Sequence, residues 1–170
     1  MDGATLREQM RKLISIYKDL TEFYSAACWA DKQYPSQGSL GEMVWAMMKG
    51  GTLHKNRNFK GYDVYVVQDG VAYRDQVKVR KGTGHFRQLD LSGDDTARAF
   101  DRLIAVVVDS PFEVQYAFQI PYGVVKKHGR VERDSWYLNV SPTTWNKRAG
   151  VLNVTKEMSD FVHKLMLEVR

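Results

Sequence analysis

The sequence predicts one α/β domain over residues 1–170, an α/β/α sandwich around a central mixed sheet, with a long helix near each end. Three observations predict it. Residues 61–81, GYDVYVVQDGVAYRDQVKVRK, hold two apolar-rich runs joined by Asp69-Gly70, the pattern of a β-hairpin with a two-residue type I′ turn. Residues 103–108, LIAVVV, are continuously apolar, as expected of a strand covered on both faces. Amphipathic helical periodicity recurs outside these strands.

The first helix is predicted over residues 4–30. Leu6, Met10, Leu13, Ile14, Tyr17, Leu20 and Tyr24 follow steps of three and four, and the Tyr34-Pro35-Ser36-Gln37-Gly38 stretch breaks the pattern. The next helix begins with Ser39 as N-cap and Glu42 in capping-box spacing, buries Leu40, Met43, Val44 and Met47, and ends at Gly50-Gly51. Residues 52–60 form a polar, basic loop carrying His54, Lys55, Arg57 and Lys60. After the hairpin comes a Gly82–Gly84 turn, which lacks the GK[ST] of a phosphate-binding P-loop. Asp94 and Asp95 suit a helix start. A strand at 111–120 is followed by a helix from Pro121, with Val124 and Val125 inward and Lys126, Lys127 and His128 outward. A short strand at 135–140 precedes a Trp145-Lys147-Arg148 cluster, and Thr155 caps a last helix over 156–169 with Met158, Phe161, Val162, Leu165 and Met166 on its apolar stripe.

Composition narrows the function. The apolar and charged fractions, 44% and 26%, are those of a water-soluble globular chain. No stretch is long and apolar enough to span a bilayer, and the N-terminal residues lack the apolar core of a secretory signal. Cys28 stands alone, which excludes an internal disulfide and a cysteine-based zinc site and makes a cytoplasmic location the simplest expectation. The net charge of +5 fits a polyanionic partner.

Three polar side chains in the hairpin stand out. Asp63 opens its first strand. Gln76 and Lys78 alternate with Val77 in the second, so both project to one face. A carboxylate, an amide oxygen and an ammonium on a rigid element suit a divalent cation and a phosphodiester. Helix Glu42, the Gly-Tyr-Asp strand, the Gln-x-Lys strand and a later αβ unit, taken in order over residues 39–122, resemble the core of the PD-(D/E)XK, restriction-endonuclease-like nucleases. Two departures are visible: Gln76 stands where an acidic residue is usual, and no proline precedes Asp63.

The resemblance implies a metal-dependent endonuclease hydrolysing DNA, of a restriction, defence or repair kind, acting as a homodimer because one domain carries one site. It implies Mg²⁺ (or Mn²⁺) held by Asp63, Gln76, the Val77 carbonyl and Glu42, with Lys78 orienting or deprotonating the attacking water or stabilising developing charge. Lys55, Arg57, Lys60, Arg80, Lys81 and Arg87 are the candidate DNA contacts. The residues also admit other accounts. Glu42 can simply bond back in a capping box, the basic loop can be solvated, and Gln76 and Lys78 can lie on a solvent face. A non-catalytic nucleic-acid-binding module or an interaction subunit of the same fold is the corresponding alternative.

Overall fold

The computed structural model describes residues 19, 37–55, 61–89, 99–110, 113–132 and 135–168. The chain divides into two units, Met1–Ser36 and Gln37–Arg170, and every strand and helix named below belongs to the second. Apart from residue 19, the helix expected over residues 4–30 lies outside the described residues, as do the helix start at Asp94-Asp95 and the basic residues Arg57 and Lys60.

In chain order the elements are α1 (Gln37–Lys49), β1 (Thr52–Leu53), β2 (Val64–Gln68), β3 (Val71–Lys81), β4 (His85–Leu89), β5 (Arg102–Ser110), β6 (Glu113–Pro121), α2 (Tyr122–His128), β7 (Arg130–Glu132), β8 (Ser135–Asn139), α3 (Pro142–Trp145), β9 (Leu152–Asn153) and α4 (Thr155–Glu168). Six strands form a mixed sheet in the order β1-β2-β3-β5-β6-β9, and three form a second sheet, β4-β8-β7. In the large sheet β3 and β5 run parallel, and the other neighbours are antiparallel. A parallel pair needs a long crossover, and this one carries β4 out into the second sheet.

The hairpin is as the sequence predicts. Asp69 and Gly70 both have positive φ, 51° and 76°, the backbone of a type I′ turn. Alternation along β3 and β5 then makes two cores. Val77, Val79, Ile104, Val106 and Val108 face α1 and α4, with Trp45 and Met158. Leu103, Ala105 and Val107 face the opposite way, onto Phe86, Phe100, Phe118, Tyr122, Leu138 and Trp145. The mixed α/β sheet is therefore as expected, but its second face is covered by the small sheet together with α2 and α3. Phe86 and Leu138 on short strands do the covering that the sequence pattern assigns to helices.

Several local expectations change. Ser39 is the third residue of α1, fully buried, and is not its N-cap. The helix is also rolled relative to the predicted stripe: Trp45 and Ala46 are buried, whereas Met47 is exposed. Gly41 explains the roll, because it lies so close to Val79 that a Cβ there would come within 2.3 Å of the valine Cγ2. The helix backs onto β3 through this glycine, which swings the large Trp45 ring inward. Gly50 and Gly51 end the helix as predicted, with Gly51 N–H bonding Ala46 O and Gly50 N–H bonding Met47 O, the two bonds of a Schellman motif. β1 forms within the segment expected as a loop at 52–60, and β4 follows the Gly82–Gly84 turn, where no strand was expected. Thr155 is inside α4 and ties it to β6: its hydroxyl accepts from Ala117 N–H and donates to Ala117 O. Trp145 is a core residue, 2% exposed, with its indole N–H on Asn139 O.

Candidate metal and phosphodiester site

The hairpin ladder stops before the end of β3. Its register runs from Gln68↔Val71 to Val64↔Asp75. One residue earlier in the chain, Asp63 leaves the ladder. Its N–H donates to Asp75 O, its carbonyl accepts from His54 N–H, and its carboxylate Oδ2 accepts from Val77 N–H at 2.7 Å. A side chain thus makes the next bond along the β3 edge. Because N–H and C=O of one strand residue project to the same side, the Val77 carbonyl lies on the edge that Asp63 occupies.

Gln76 and Lys78 stand in register with Leu103 and Ala105 of β5, on the face turned away from α1. Gln76 is 5% exposed, and its Oε1 has no hydrogen-bond partner among the described residues. An unpartnered buried acceptor costs about 1–3 kcal/mol. An amide oxygen held dry, on the strand whose edge carries a carboxylate and a backbone carbonyl, is of the ligand type that a hard divalent cation prefers. Lys78 is half-buried one pleat further along.

Of the residues singled out from sequence, the structure brings Asp63, Gln76, Val77 and Lys78 onto one stretch of the hairpin. Glu42 is half-buried on α1, which packs on the Val77 and Val79 side of the sheet, opposite to Gln76 and Lys78. Among the described residues no three His, Cys, Asp or Glu side chains converge as a metal cluster. The candidate set instead joins Asp63 to amide and backbone oxygens. Arg80 is half-buried and donates to the neighbouring Val79 carbonyl; Lys55, Lys81 and Arg87 are exposed. His54 meets the Tyr62 ring edge-on at 4.9 Å between centroids.

Sequence reasoning missed what fixes β3 in place. Asp75, wholly buried on the α1 face, accepts from Arg102 Nε and Nη2, both at 2.7 Å, and from Trp45 Nε1 at 2.7 Å. The Arg102 guanidinium also donates to Gln68 Oε1 and lies 3.8 Å from the Tyr73 ring centroid. On the other face Asp101 accepts from the backbone N–H and guanidinium of Arg74. That hydrogen bond, outweighing burial, holds the Arg74 guanidinium above its usual range. These two pairs clamp β3 to β5 immediately before Gln76. The signal was present in the sequence: Asp75 occupies the same alternation set as Val77 and Val79, where a charge needs a buried partner.

In comparison with known proteins, no family model and no curated protein matches this chain.

Proposed function

We propose that the chain is a metal-dependent endonuclease that hydrolyses DNA phosphodiester bonds, with a core of the restriction-endonuclease-like kind. The order helix, hairpin, crossover and parallel strand is compatible with that core. The observation that carries the reading is Gln76 Oε1, a buried acceptor without a described partner, on the strand whose edge receives the Asp63 carboxylate.

Asp63, Gln76 Oε1 and the Val77 carbonyl would hold Mg²⁺ or Mn²⁺. When bound, such an ion supplies Lewis-acid polarisation of the phosphate and a more acidic water. The protein's own part is positional and electrostatic. Asp63 is fixed by its bond from Val77 N–H, Gln76 is fixed by burial, and Lys78 places a positive charge where a pentavalent phosphorane would build negative charge. Gln76 in place of an acid removes one negative charge from the set. That feature favours a second reading, a nucleic-acid-binding module of the same fold that does not cleave.

The test is nicking of supercoiled plasmid with Mg²⁺ or Mn²⁺ by wild type, Asp63→Asn and Lys78→Ala. Metal-dependent nicking lost in both variants supports the enzyme. Wild-type binding without nicking supports the second reading, and nicking that persists in both variants overturns the assigned site.

A further inference from the structure

The second sheet offers a site that the hairpin chemistry does not use. Tyr137 sits in its central strand, β8. Directly opposite it on one side is Arg87 of β4, and directly opposite on the other is Arg130 of β7. Residues in register share a face, so the three side chains form one row, Arg-Tyr-Arg, across the sheet. Phe86 and Leu138 alternate with them and point into the core. The row is therefore on the outer face, where Arg87 and Arg130 are exposed and Tyr137 is half-buried. The Arg87 guanidinium is 5.7 Å from the Tyr137 ring centroid, and His85 meets the same ring edge-on at 6.0 Å. Just before β7, Lys126 and Lys127 are exposed on the last turn of α2.

A flat aromatic ring on a sheet, flanked by cations on both neighbouring strands, has the chemistry of a base-stacking platform. Unpaired bases stack on exposed aromatics whatever their sequence, while guanidinium groups take the phosphates on either side. A duplex keeps its bases stacked on one another and has no free face to offer. The positive charge of the face selects a polyanion. We infer that the outer face of the β4-β8-β7 sheet binds single-stranded DNA, with one unpaired base on Tyr137 and its flanking phosphates on Arg87 and Arg130. The inference rests on the nuclease reading only for the choice of DNA. The face itself is separate from Asp63, Gln76 and Lys78.

The experiment is fluorescence anisotropy of a labelled 15-mer of thymidylate in EDTA, where nothing is cleaved. The comparison set is a 15-mer of abasic units with the same charge, a duplex, and a uridylate 15-mer. Wild type is expected to bind thymidylate more tightly than either the abasic strand or the duplex. Tyr137→Ala is expected to weaken thymidylate binding about tenfold and to leave the abasic strand unchanged. Tyr137→Leu, which keeps apolar bulk against the sheet, is expected to lose the same preference. Arg87→Ala/Arg130→Ala is expected to weaken both strands and flatten the salt dependence by about 1.4 in log–log slope. No wild-type binding, equal affinity for thymidylate and abasic strands, or both Tyr137 variants within twofold of wild type would overturn the platform. Tighter binding of uridylate would overturn the assignment to DNA. Binding is read in EDTA and nicking with Mg²⁺ on the same Tyr137 and Arg87/Arg130 variants, so loss of cleavage and loss of the platform are read separately.

Discussion

Asp75→Ala is the substitution the fold should tolerate least. The carboxylate is fully buried and accepts three hydrogen bonds of 2.7 Å, two from Arg102 and one from Trp45. Its removal leaves a guanidinium that is only 5% exposed, with Gln68 Oε1 as its remaining described hydrogen-bond acceptor. Breaking a buried ion pair from one side costs about 3–5 kcal/mol, because a charge stays behind uncompensated. For a chain of this length each kcal/mol moves the midpoint by about 2–4 °C, so the melting temperature should fall by about 6–20 °C. Asp75→Leu/Arg102→Met removes both charges and should recover much of the loss, since replacing a buried pair with apolar groups is near neutral. It should not recover all of it, because the Trp45 indole N–H and Gln68 amide lose their partners. Calorimetric melting of the wild type and both variants at neutral pH checks this. A midpoint within 2 °C of wild type for Asp75→Ala would refute the reasoning about the pair. A double variant no more stable than the single would refute the claim that the stranded Arg102 charge is the cause.

Two further outcomes follow from the geometry. A Cβ on Gly84 would lie 1.8 Å from Val140 O and 2.6 Å from the Tyr116 hydroxyl, so Gly84→Ala should lower the urea midpoint by the equivalent of at least about 1–3 kcal/mol with an unchanged m-value. The control is Gly123→Ala in α2, where nothing lies within 4 Å and a helical alanine should be neutral or stabilising by about 0.5–1 kcal/mol. His128 should titrate below its usual range by NMR, because burial first, and then the charges of Arg148 and Lys127, disfavour the imidazolium. A depressed histidine contributes stability that is present above its unfolded value of about 6.5 and is lost as pH falls through that value toward the folded one. Arg148→Ala should raise the His128 value toward normal.

The strongly patterned parts of the chain were legible. The Asp69-Gly70 turn, the apolar strand of Leu103 to Val108, the helix after Pro121 and the Gly50-Gly51 stop were all set by local chemistry, and the folded chain has them where the residues put them. The short strands β1, β4, β7 and β9 were not legible. Two to five residues carry too little alternation to separate a strand from a loop, and only the neighbour across the sheet makes them strands. The roll of α1 was hidden for a related reason: a helical wheel cannot show that Gly41 must face Val79. Within the candidate site, alternation correctly placed Gln76 and Lys78 on one face. It said nothing of the bond by which Asp63 replaces a rung of the ladder at Val77, because that depends on where β2 ends. Asp75 and Arg102 are far apart in sequence, and their pairing exists only once β3 and β5 lie side by side.

The ladder that joins β2 to β3 is made entirely from nearby residues, whereas the β3–β5 pairing spans a long crossover. Contacts close in sequence cost little chain entropy and form fast; distant ones form late. Asp63, Gln76 and Lys78 therefore belong to a segment able to take its shape early, and the remote strand arrives afterwards as a brace. Substitutions in β5 and β6 should change how firmly this segment is supported more than how it is drawn. Substitutions at the Asp69-Gly70 bend should do the reverse.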